Sequence, residues 1–120
     1  MTSAYVKLIA LLSRFISANE MTNLRLAIAT GARGLATGKY TVDAVKGAAE
    51  RICSMIEGAH IEEVRIIEEE RNISFKETCV DLLTRATIEE SLRSQTPFAA
   101  YPAHETRESR GERESPTLFE

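Results

Sequence analysis

The sequence predicts an all-α fold, a small bundle of four to five short helices followed by a disordered C-terminal tail. Three observations lead there. Apolar residues recur at i, i+3, i+4 and i+7 in segment after segment up to residue 95. Hydroxyl residues followed three positions later by Glu mark helix starts. The one stretch that passes as a strand, Glu63–Ile67, has no second strand to pair with. A length of 120 residues fits one domain with a tail, read as 1–95 and 96–120.

The first helix is read over Ser3–Ile16, with Tyr5, Leu8, Ile9, Leu12, Phe15 and Ile16 in register and Val6, Ala10 and Leu11 widening the stripe. A helix apolar nearly all round needs several neighbours, and so small a domain buries it with difficulty. The expectation is therefore a homodimer with helix 1 at the interface. Ser17-Ala18-Asn19-Glu20 reads as a capping box opening a second helix, with Met21, Leu24, Ala27 and Ile28 on one face. That helix is expected to stop near Gly31, because residues 30–41 contain three glycines.

Thr41 reads as the next N-cap, with Asp43 in the first turn, where the helix dipole favours an acid. Val42, Val45, Ala49, Ile52 and Ile56 follow at helical spacing, and Gly58 is the natural stop. Ile61, Val64 and Ile67 form a fourth stripe opposite Glu62, Glu63, Glu69 and Glu70. Asn72-Ile73-Ser74 breaks it, and Ser74-Phe75-Lys76-Glu77 reads as a second capping box. Phe75, Cys79, Leu82, Leu83 and Ala86 make the last stripe, with Ile88 and Leu92 following at a phase shift, as in a separate turn from Thr87. Beyond Gln95, Thr96-Pro97 and Tyr101-Pro102 cannot continue a helix. Residues 104–115 carry no apolar side chain and cannot offset their ordering entropy by burial.

Composition and charge narrow the function. Hydrophobic residues at 43% and charged ones at 28%, with 6 Gly and 3 Pro, exclude collagen-like, mucin-like and wholly disordered chains. Two cysteines exclude a disulfide-dense scaffold. Aromatics at 6% with no Trp leave few rings to stack bases. Charge is uneven: residues 1–40 set five cations against Glu20, residues 41–95 carry seven cations and twelve acids, and the tail three and five. A basic front can meet an anionic partner. The most apolar run, Ala4–Ile16, is shorter than the roughly 20 residues a bilayer span needs, and Lys7 and Arg14 interrupt it. The expectation is no membrane, no export, and a reducing cytoplasm with Cys53 and Cys79 as buried free thiols.

The motifs that carry chemistry are incomplete. Gly34 to Thr41 resembles a phosphate loop at first sight, but three residues separate Gly34 from Gly38 where four are needed, and Tyr40 follows the Lys. Ala27 and Gly31 have the spacing of a helix-turn-helix corner, but about ten residues separate Gly31 from Thr41 where that motif has about three or four. Glu57-Gly58-Ala59-His60 has the di-iron Glu-x-x-His spacing without a second copy. His60-Ile61-Glu62 opens like a zinc deaminase signature without the paired cysteines. No Gly-x-Ser-x-Gly turn is present. No catalytic residue, cofactor or metal ligand is assigned.

Binding remains. A soluble tether ending in Leu118 and Phe119 has the format of a short apolar anchor, which a Leu-Phe pair suits for a transient contact. Pro116-Thr117-Leu118-Phe119 resembles the Leu-Phe-ended peptides that dock on bacterial sliding clamps, with Ser115 where those carry Gln. The resemblance implies Leu118 and Phe119 as partner-binding residues. The sequence therefore leads to a small non-enzymatic adaptor or regulatory protein that binds another protein, of a kind common in bacteria and their phages. The alternative is a nucleic-acid-binding regulator using Arg25, Arg33 and Lys39.

Overall fold

The computed structural model describes residues 2–94, with side chains to residue 93. Among these residues there are five helices and no strand: α1 Ser3–Leu12, α2 Ala18–Thr37, α3 Val42–Ala59, α4 Ile61–Arg71 and α5 Phe75–Ser94. They form a helical bundle around one hydrophobic core. The boundary at residue 95 and the tail 96–120, with Leu118 and Phe119, lie outside the described residues.

The bundle is organised around its last helix. α5 packs against all four others, most extensively against α2, α3 and α1. Its buried side chains include Phe75, Cys79, Leu83 and Ala86, while Lys76, Asp81 and Arg85 remain exposed. The core face continues through Thr87 and Ser91, not through Ile88 and Leu92 as the phase shift suggested, and Leu92 is exposed. Thr87 is tolerated inside because its hydroxyl donates to the Leu83 carbonyl at 2.8 Å. With that bond made, α5 runs on without a break.

Two further helix ends differ from expectation. α1 stops at Leu12, and Phe15 and Ile16 pack on the core from the connecting segment. Its Leu8, Leu11 and Leu12 are consumed inside the chain, which leaves Val6 as its exposed large apolar residue. α2 passes Gly31 and continues to Thr37. Gly31 and Gly34 are both buried, and Gly34 is a site of close approach: a Cβ there would lie 1.9 Å from Cδ2 of the Tyr40 ring. The glycine that ends α2 is Gly38, at φ 79°.

α3 likewise runs past Gly58 to Ala59 and is capped at His60, while other helix starts match the sequence. Ser17 and Glu20 make a complete capping box, with Ser17 N–H to Glu20 Oε1 at 2.8 Å and Glu20 N–H to Ser17 Oγ at 3.1 Å. Thr41 Oγ1 accepts from Ala44 N–H at 3.1 Å. Asn72, at φ 53°, closes α4. Two helix starts also receive carboxylates from elsewhere: Glu89 of α5 accepts from Ala4 N–H at 3.0 Å, and Glu68 of α4 from Phe75 N–H at 2.8 Å.

Candidate functional site

Three features of the bundle carry polar or reactive groups. The first lies where α3 meets α4. His60 joins the two helices with φ −135° and ψ 50°, a break that turns its ring toward the start of α2. Its Nε2 lies 2.9 Å from Glu20 Oε2 and 3.2 Å from Oε1. Phe15 packs at 5.0 Å between ring centroids, and Phe75 lies 6.1 Å beyond Phe15. The Ser17 backbone amide, followed by the His60 hydrogen bond, holds the Glu20 carboxyl below its ordinary value of 4.5. Ser17, His60 and Glu20 are thus gathered at one point, but the carboxylate faces the imidazole while the Ser17 hydroxyl is engaged as a helix cap. That arrangement clamps three chain segments together. Local sequence patterns have no means of pairing His60 with a residue 40 positions away.

The second feature is a groove of about 510 Å³ between α3 and α5. Lys46, Glu50, Lys76, Glu77 and Asp81 rim it, and Val80 and Thr84 lie within it. The Thr84 hydroxyl is buried and has no hydrogen-bond partner among the described residues. The mixed charges give the groove no single-sign preference.

The third is the contact between Cys53 of α3 and Cys79 of α5. Both are free thiols with 0% exposure, and their Sγ atoms lie 2.7 Å apart. The hydrogen-bonded Cys79 thiol and burial push the Cys53 thiol far above its ordinary range. Each cysteine was legible as a core residue of its own helix. Their meeting depends on the register between α3 and α5, which local periodicity does not encode. Among the described residues no group of three or more His, Cys, Asp or Glu side chains is placed to hold a metal ion.

Arg25 and Arg33 lie on α2 eight residues apart, a rotation of roughly 80° at 3.6 residues per turn. Arg25 borders a shallow depression of about 350 Å³ together with Arg93 and Glu90, which pair with each other at 2.8 Å. Lys39 lies past the helix end with its Nζ 5.5 Å from the Tyr40 ring centroid.

The two most exposed large apolar side chains among the described residues lie elsewhere. At the α3–α4 junction Met55 is 73% exposed and Ile61 64%, and Gly58 and Ala59 between them are also exposed. Met55, Gly58 and Ala59 are i, i+3 and i+4 neighbours on one face of α3. Glu57 lies within this stretch of sequence, and Glu62 and Glu63 follow it. No described helix is long and apolar enough to cross a membrane.

No family model, curated protein or solved structure matches the chain.

Proposed function

We propose that the chain is a small non-enzymatic adaptor or regulatory protein of the cytoplasm that acts by binding another protein. The observation that carries this reading is the exposed apolar strip at the α3–α4 junction. Met55 and Ile61 stand out on either side of two residues with little or no side chain. An apolar surface with acids close by in sequence suits a partner that brings apolar anchors with basic residues beside them. The Leu118–Phe119 end offers a second contact in the same reading.

The test is capture from lysate by the immobilised full chain beside a Met55→Glu, Ile61→Glu double variant whose circular dichroism matches the original. A protein held by the first and lost by the second supports the reading. Equal capture, or none, defeats it. Self-association belongs to the same proposal, through α1 with Val6 at the contact. Light scattering at micromolar concentration should then report the dimer mass, and a monomer mass removes this part.

The second reading is nucleic-acid binding by Arg25, Arg33 and Lys39. Favouring it is the solvent exposure of Arg25 and Lys39 on the basic half of the chain. A mobility shift with duplex DNA at low salt, lost when the three residues are changed to Glu, would select it over the adaptor.

A further inference from the structure

We propose that Cys53 and Cys79 are an intramolecular disulfide site, linked when the chain folds in the presence of a low-molecular-weight disulfide such as oxidised glutathione. The sequence contains two cysteines, 26 positions apart, and the fold brings both to a single point in the core. They face each other from α3 and α5, which pack along much of their length. Two thiols serving only as small apolar fillers would be expected to pack against aliphatic neighbours. Here the two sulfurs are in direct contact, and neither is exposed.

The chemistry balances with the oxidant named. One cysteine gives up its proton and attacks a sulfur of oxidised glutathione, expelling a glutathione thiolate that takes that proton. A mixed disulfide remains. The other cysteine gives up its proton and attacks the protein sulfur of the mixed disulfide. The Cys53–Cys79 bond forms, and a second glutathione thiolate leaves and is protonated. Two protein S–H bonds and one glutathione S–S bond are replaced by one protein S–S bond and two glutathione S–H bonds. Glutathione cannot reach sulfurs that are fully enclosed, so the exchange belongs to the folding chain or to an opened state. Once formed, the bond is enclosed in turn and shielded from external thiols.

The test refolds the reduced full chain from denaturant in a glutathione redox buffer. The products are trapped with N-ethylmaleimide under denaturing conditions and weighed intact. A monomer lighter by two hydrogens and free of maleimide is the expected main product. Two maleimide groups, two glutathione adducts, or a disulfide-linked dimer as the main product would overturn the assignment. The same buffer with denaturant retained should give the link in about tenfold lower yield, because an unfolded chain holds the sulfurs apart. Equal yields would mean that the fold plays no part and would also overturn it. The linked chain should melt higher than the reduced one by on the order of 10 °C. An unchanged or lower midpoint would show that the bond and the native packing are incompatible.

Discussion

The imidazole Nε2 of His60 and the carboxylate of Glu20 lie 2.9 Å apart, joining the α3–α4 break to the first turn of α2. The same carboxylate accepts from the Ser17 amide, so one side chain caps a helix and anchors a second junction. Phe15 covers the pair and connects it to Phe75 at the start of α5. An element as local as a capping box is here a tertiary contact.

Acid should therefore weaken this clamp. The folded Glu20 carboxyl titrates below its ordinary 4.5, held down first by the Ser17 amide and then by His60. A depressed folded value stabilises above the ordinary value and loses that contribution as pH falls through the folded one. Urea unfolding across pH 7 to 2 is expected to show declining stability below about 4.5. In Glu20→Gln this component should flatten, with about 1 kcal/mol lost at neutral pH. An unaltered acid limb in the variant would remove Glu20 from the account.

Glycines of the bundle should respond in opposite directions. Gly34→Ala places a Cβ against the Tyr40 ring and is expected to cost about 1–3 kcal/mol, despite the higher helix propensity of Ala. Gly58→Ala meets nothing within 4 Å inside α3 and should add up to about 1 kcal/mol. Paired urea titrations read both. Adding Tyr40→Ala to Gly34→Ala should yield a coupling energy that shows the clash relieved.

The aromatic floor of the clamp should matter in proportion to its burial. Phe75 is fully enclosed, whereas Phe15 is half-buried. Phe75→Ala is expected to cost about 3–5 kcal/mol and Phe15→Ala clearly less. Calorimetric midpoints in the reverse order would contradict the packing described.

Carboxylates borrowed from other helices should be visible one amide at a time. Glu68→Ala frees the Phe75 N–H and Glu89→Ala frees the Ala4 N–H, each at a cost of about 1 kcal/mol. Hydrogen exchange should accelerate at Phe75 in the first variant and at Ala4 in the second. Uniform acceleration across the chain in both would indicate a global effect instead.

The sequence made the helix starts legible because caps are short-range chemistry. Ser17–Glu20 and Thr41–Asp43 carry their signal within four residues, and both form as read. Gly31 reads as a helix end because a glycine buried inside a helix and a glycine that closes one look alike in sequence, and the stop lies seven residues on at Gly38. Periodicity favours Ile88 and Leu92 over Thr87 and Ser91 because it counts apolar residues alone, and it does not register the backbone bond that lets the Thr87 hydroxyl be buried. The cysteine contact and the His60–Glu20 pair span 26 and 40 positions, and only the docking of helices brings their members together.

The helix that contacts every other one is also the last of the five to leave the ribosome. Leu8, Leu24 and Val45 are buried on the three helices that pack most extensively on it. The first four helices are therefore made before the helix they pack on, and a truncation ahead of residue 75 should yield aggregate instead of a smaller bundle.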